Sequence, residues 1–133
     1  MRAKLAAPFH AMLKLYAYSG CSTCRNAIKW LKQHAIAFEE VAIRETPPSL
    51  AELIAMLSAQ GGDLRKLYNI SGLDYRSLGL KDKLPIMSTD AALKLLAENG
   101  NLVKRPFAID AKGKIHLVGF KEPEWQAALL HRR

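Results

Sequence analysis

The stretch that decides the reading is Tyr16-Ala17-Tyr18-Ser19-Gly20-Cys21-Ser22-Thr23-Cys24-Arg25. The run leading into it, Leu13 to Tyr18, is apolar, alternating and β-rich, which predicts strand one over 13–18. Gly20 breaks that strand. From Ser22 onward Ala27, Ile28 and Leu31 recur at helical steps, with Trp30 beside them and His34 or Ala35 next in the series. Residues 22–34 therefore read as helix one. The two cysteines of the chain fall at a strand-to-helix turn, Cys21 at or near the cap and Cys24 in the first turn.

That position has chemical consequences. A helix start offers unpaired backbone N–H groups and the positive end of the dipole, and both favour an anion such as a thiolate. Arg25 adds a fixed positive charge nearby. A Cys-x-x-Cys motif at a helix start lowers cysteine pKa and makes a nucleophile, and beside a βαβ pattern it reads as a thioredoxin-like redox motif. Structural zinc and inert packing cysteines are the competing readings. Zinc needs four ligands, and there is no second Cys-x-x-Cys, while His10, His34, His116 and His131 are scattered. The expected metal is none.

At 133 residues the chain is long enough for one domain with its own core. No apolar run approaches a membrane span, and two cysteines three apart cannot frame a secreted disulfide scaffold. The expectation is a cytoplasmic protein without membrane contact, monomeric by default. Residues 1–12 read as an N-terminal extension without order, and 13–133 as a single domain. The formal net charge is +8, yet the positives are spread along the chain, with modest clusters at Lys81–Lys83 and His131–Arg133. Charge spread in this way reads first as a solvated, soluble surface, with a small anion or an acidic partner as the alternative; direct nucleic-acid binding is not expected, since no recognition motif accompanies the charge.

Outward from the cysteine turn, Phe38, Val41 and Ile43 alternate within 37–43 and predict strand two, closing a parallel, right-handed β-α-β unit. Pro47-Pro48 stops it. Ser49 with Glu52 is a capping box opening a helix through Leu57, ended by Gly61-Gly62. Asp63 caps a short helix over 64–68, 74–80 reads as another piece closed by Gly79, and Ser88 caps 91–96, ended by Asn99-Gly100. Phe107 to Ile109, a turn at 110–113 and Ile115 to Val118 read as a hairpin. Glu122-Pro123-Glu124 opens the last helix, whose buried face is Trp125, Ala128 and Leu129. The order β-α-β, helical insert, β-β-α is that of an α/β thioredoxin-like fold, with a core of 13–46 and 101–130 and an insert of 47–100.

Lys104-Arg105-Pro106 is the second constellation. In thioredoxin-like folds a cis-proline here faces the cysteine turn, and X-Pro is the one bond where cis costs little. A cis Pro106 would direct Arg105 toward Cys21, where a guanidinium favours the thiolate and can bind an oxyanion as a fork. A trans-proline at an edge-strand start would instead leave Arg105 a solvated charge. Arg65 is a further candidate anion clamp if the insert folds over the site; otherwise it is an exposed helix charge.

Taken together, Ser19-Gly20-Cys21-Ser22-Thr23-Cys24-Arg25, Arg44-Glu45-Thr46-Pro47-Pro48, Leu64-Arg65-Lys66-Leu67, Gly79-Leu80-Lys81-Asp82-Lys83-Leu84, Asn101-Leu102-Val103-Lys104-Arg105-Pro106 and Val118-Gly119-Phe120 resemble the Spx/arsenate reductase-like (ArsC-like) family over about Leu13 to Leu130. The resemblance implies a thioredoxin-like core with a helical insert. In the arsenate reductases of the family the first cysteine attacks arsenate, arginines bind the oxyanion, and glutathione with glutaredoxin resolves the adduct. Cys21 matches that nucleophile, and Arg65 and Arg105 match two of three oxyanion arginines. The third is expected just after strand four, where this chain departs from the pattern with Phe120-Lys121; a lysine is a point charge and not a fork. Cys24 also departs from the glutathione-linked reductases and matches the Spx branch, which uses its cysteine pair as a redox switch on RNA polymerase.

The sequence supports three readings. In the first, the chain is a thiol oxidoreductase acting on an oxyanion or a disulfide. Cys21 is the nucleophile, Cys24 the resolving cysteine, and Arg65, Arg105, Arg25 and Pro106 shape the substrate site. Glutathione would be a cosubstrate, no cofactor would be tightly bound, and glutaredoxin or thioredoxin would supply electrons. The second is an Spx-like redox-switch regulator that binds RNA polymerase. The third is a quiet relative whose cysteines serve packing.

Overall fold

In a computed structural model of the chain, the described residues are 12–130. The expectation of an unordered extension falls on residues 1–12 and so lies, but for Met12, outside them. The elements in chain order are β1 (Leu13–Ala17), α1 (Ser22–Gln33), β2 (Phe38–Ala42), α2 (Leu50–Ala59), α3 (Leu73–Ser77), α4 (Leu80–Lys83), α5 (Thr89–Glu98), β3 (Phe107–Asp110), β4 (His116–Val118) and α6 (Glu122–Leu129). Short 3-10 turns at Leu64–Leu67, Leu84–Ile86 and Gly100–Leu102 link the helices. Among the described residues the sheet has four strands in the order β2-β1-β3-β4. The β1–β2 pair is parallel, while β1–β3 and β3–β4 are antiparallel. This is the thioredoxin-like arrangement, with helices between its two halves.

The alternation of β1 explains why both faces of the sheet are covered. Successive side chains of a strand point to opposite faces. Leu13, Leu15 and Ala17 join Cys24, Ala27, Trp30, Leu31 and Trp125 beneath α1 and α6. Tyr16 faces the other way, with Leu53, Met56, Leu93, Leu96, Phe107 and Ile109 beneath the helices of the insert. A central strand buried on both sides reads as the near-continuous apolar run seen in the sequence.

Helix ends follow local chemistry. Ser49 and Glu52 form the expected reciprocal capping box. Gly61 and Gly62, at φ 73° and 80°, close α2, with Gly62 N–H bonded to Leu57 O and Gly61 N–H to Ser58 O. The same pattern ends α1 without a glycine: Ala35 takes φ 54°, and its N–H and that of Ile36 bond Lys32 O and Leu31 O. The reading of 74–80 as one helical piece needs correction. Gly79, at φ 66°, ends α3 after Leu78, but the chain then re-enters helix as α4, a turn the sequence reading lacked. A left-handed residue stops one helix and redirects the chain into the next.

One polar network ties the insert to the sheet. Lys14 Nζ lies 3.0 Å from Glu52 Oε2, Tyr16 Oη donates to Glu52 Oε1 at 2.6 Å, and the Ser49 N–H donates to Glu52 Oε1 at 2.9 Å. Burial alone would raise the Glu52 pKa, but these bonds outweigh it and lower it below the usual carboxylate value. A carboxyl lowered on folding contributes stability above its unfolded pKa, about 4.3, and loses it as pH falls through the folded value. Glu52→Gln should therefore lower Tm at neutral pH, and the gap to wild type should narrow as pH falls below the unfolded carboxyl value of about 4.3. A gap independent of pH in thermal melts would contradict this account.

Candidate functional site

The N-terminus of α1 builds the reactive end of the molecule. Cys21 is the N-cap residue, extended at φ −98° and ψ 118°, and its sulfur accepts the N–H of Cys24 at 3.4 Å. The cap role that serine or aspartate often fills is thus filled by a thiol, which gains from carrying negative charge. Both cysteines are free thiols; Cys21 is partly exposed and Cys24 is buried. The helix pattern dictates this difference. Cys24 lies on the inward stripe with Ala27, Trp30 and Leu31, whereas Cys21 ends the turn above it.

The two thiols are driven apart electrostatically. Burial would raise the Cys21 pKa. The backbone N–H of Cys24, the Cys24 thiol and the charge and hydrogen-bonding of Arg105 outweigh it, and the result is a lowered value. Cys24 is pushed up to about 12, first by burial and then by the hydrogen bond and negative charge of Cys21, against an opposing backbone bond at Tyr18 and the charge of Arg105. One thiol is poised to ionise while its neighbour keeps its proton.

Arg105 precedes a cis peptide bond to Pro106, and the trans alternative left open by the sequence does not apply. Pro106 is buried and its carbonyl accepts the Gly119 N–H at 2.9 Å. Its part is to join the loop bearing Arg105 to the end of β4, and it is not among the residues lining the cleft.

A cleft of about 750 Å³ opens at Cys21, lined also by Ser22, Thr23, Arg65, Lys66, Asn69, Lys104, Arg105, Gly119, Phe120 and Lys121, with Asp63 and Glu124 among its acids. Arg65 reaches it because the insert is stitched to the loop before β3. Tyr68 and Val103 form an antiparallel bridge. Lys104 N–H donates to Leu67 O at 2.8 Å and Asn69 N–H to Leu102 O at 2.7 Å. Asp63 Oδ1 accepts the Arg65 N–H at 3.1 Å and caps the turn that carries it. The insert does fold over the site.

Of the residues predicted from sequence, Cys21, Arg65 and Arg105 come together at the cleft. Cys24 lies behind Cys21 in the core. Arg25 does not join them and is not among the residues lining the cleft. At the second residue after Thr23 the helix has turned away, and its Nη1 donates to Ser19 O at 2.8 Å, bracing the turn from outside. Lys66 and Lys104 went unread. Lys104 adjoins Arg105 in the same stretch, but nothing in its sequence says which way it points. Its stem passes over Gly119, where a Cβ would lie 2.9 Å from Lys104 Cε.

Among the described residues no group of three or more His, Cys, Asp and Glu side chains is arranged to hold a metal ion. Among them, too, no helix is long and apolar enough to cross a membrane.

A thioredoxin-like domain with a Cys-x-x-Cys helix start, a cis-proline and a cationic cleft is the class defined by this fold and site. The chain belongs to the ArsC family, whose model matches residues 16–128. It is similar to the uncharacterized protein YusI of Bacillus subtilis, at 47% identity over 86% of this chain and 95% of YusI. It is 34% identical to the global transcriptional regulator Spx of Enterococcus faecalis over 85% of this chain and 83% of that protein. Among solved structures it resembles that of a possible arsenate reductase from Streptococcus mutans UA159, with TM-score 0.77 and 42% identity over 84% of this chain and 92% of that one.

Proposed function

We propose that the protein is a thiol oxidoreductase in which Cys21 is the nucleophile and Cys24 the resolving cysteine. The observation that carries this reading is the pairing of a partly exposed, acidified Cys21 at a cationic cleft with a buried, protonated Cys24 three residues on. With a disulfide substrate, the Cys21 thiolate attacks one sulfur, forming a mixed disulfide and expelling the other sulfur as a thiolate. Cys24 gives up its proton and attacks the Cys21 sulfur, forming the Cys21–Cys24 disulfide and releasing the second thiolate. The substrate gains two electrons and the protein loses them; an external thiol, glutathione or a glutaredoxin- or thioredoxin-type dithiol, returns them.

The electrostatics order these steps. While Cys21 is a thiolate, its charge and hydrogen bond help keep Cys24 protonated. Once Cys21 is bonded to substrate that charge is gone, and Cys24 ionises more readily.

The cations facing Cys21 suit an anionic substrate, either an oxyanion such as arsenate or a carboxylate-bearing disulfide of glutathione. NADPH oxidation should be followed with arsenate, coupled separately through glutathione/glutaredoxin and through thioredoxin, and with a disulfide of glutathione coupled through thioredoxin alone, with Cys21→Ser as the blank in every case. Turnover that vanishes in the blank is expected, and the coupling that works names the donor. Equal rates with and without Cys21 would end the reading.

The likeness to Spx regulators favours a second reading, in which the same disulfide alters a surface read by RNA polymerase. Polymerase capture by the oxidised but not the reduced chain would support it, and capture in neither state would remove it.

A further inference from the structure

The ring of Tyr18 lies beside the reactive turn and against two guanidinium groups. Arg44 Cζ is 4.5 Å and Arg105 Cζ 5.4 Å from its centroid, both within the roughly 6 Å reach of a cation–π contact. Arg105 is also anchored by a hydrogen bond from Nη1 to Asn101 O, but at 3.4 Å this bond is beyond the usual range. Gly20 leaves room for the ring: a Cβ there would lie 2.6 Å from Tyr18 Cε2 and 2.9 Å from Tyr18 Oη. On its inner side Tyr18 packs against the core that contains Tyr16 and Phe107. The ring is therefore fixed by the core and has its own place beside Gly20, while Arg105 is long, flexible and loosely bonded.

We propose that Tyr18 is a positioning residue of the Cys21 site, its aromatic face holding the Arg105 guanidinium where it acts on the reactive sulfur. A side chain rich in rotamers loses freedom when it is aimed at one place, and a cation–π contact offsets part of that loss. Arg44, stacked on the same ring, helps hold the ring and stays outside the cleft. The inference rests on Cys21 being the reactive thiol, and it explains why Gly20 precedes that thiol: any side chain there displaces the ring.

The test reads the thiol and not turnover. The groups acting on Cys21 are Cys24, from α1, and Arg105. The other cations of the cleft, Arg65, Lys66, Lys104 and Lys121, and the acids of its rim are unchanged in every variant. Iodoacetamide alkylation of Cys21 in the reduced full chain is followed against pH by peptide mass spectrometry. Tyr18→Leu should shift the midpoint upward and slow alkylation below that midpoint by up to roughly five-fold, the scale of one partly exposed cation–π contact. Tyr18→Phe keeps the ring and should restore the rate. Arg105→Ala should slow alkylation at least as much as Tyr18→Leu, and the double variant no further. Where Tyr18→Leu does not fold, Gly20→Ala displaces the same ring and should move the midpoint in the same direction. A folded Tyr18→Leu chain with an unchanged midpoint, or losses that add in full with Arg105→Ala, would overturn the proposal. An ordinary thiol midpoint in the unmutated chain would instead remove the reading of Cys21 itself.

Discussion

Gly100→Ala is expected to destabilise the protein by about 3 kcal/mol or more, beyond the usual cost of overpacking a core. The Cβ would lie 1.8 Å from Ile43 O, 2.7 Å from Ile43 C and 3.1 Å from Arg44 Cα. These are backbone atoms, so no rotamer change relieves the clash. Ile43 N–H bonds Ala17 O at 3.0 Å, and Val103 N–H bonds Gly100 O at 3.2 Å. Moving either partner therefore disturbs the end of the parallel pair or the loop that leads to Arg105. Urea melts should show a lower midpoint with an unchanged slope, and any turnover should fall in proportion to the fraction unfolded. A midpoint within error of wild type would mean that the two segments do not pack as closely as described.

The two cysteines should separate the halves of the reaction. Cys21→Ser is expected to lose roughly a thousand-fold or more of any turnover, the scale of removing an enzyme's nucleophile. Serine can keep the N-cap hydrogen bond, so the fold should persist. Cys24→Ser should leave the first attack intact and stop at a mixed disulfide on Cys21, visible by mass as one added substrate thiol. The reason lies in their burial: substrate reaches the partly exposed Cys21, whereas Cys24 is 0% exposed and packed in the core behind it. A Cys24→Ser chain that turns over a disulfide substrate at the full rate would show that an external thiol resolves the intermediate. A mixed disulfide found on Cys24 in the Cys21→Ser chain would contradict the proposed order.

Much of this site was legible because its signals are local. A strand that stops short of Gly20, a helical period that starts at Ser22 and a cysteine at each of positions 21 and 24 decide which sulfur caps the helix and which enters the core. The capping box at Ser49 and Glu52 and the Gly61-Gly62 stop belong to the same kind. Arg25 stands outside the cleft for a related reason: nearness in sequence to a thiol is not nearness in space, since each helical residue turns by about 100° from the last. The second turn of the 73–83 region, α4, was invisible because Gly79 serves both as the stop of one helix and as the cap of the next.

Composition and periodicity alone determined that this chain would wrap apolar strands with amphipathic helices and present a Cys-x-x-Cys pair at a helix start. Tertiary structure alone decided which distant cations meet that pair. Arg65, Lys104, Arg105 and Lys121 share no periodicity with Cys21, and they reach its cleft through the Tyr68–Val103 bridge and the Gly119–Pro106 hydrogen bond. The physical reason is range. Helix caps and strand alternation act over a few residues, whereas the charge that a thiol feels depends on every group packed around it, whatever its place in the chain.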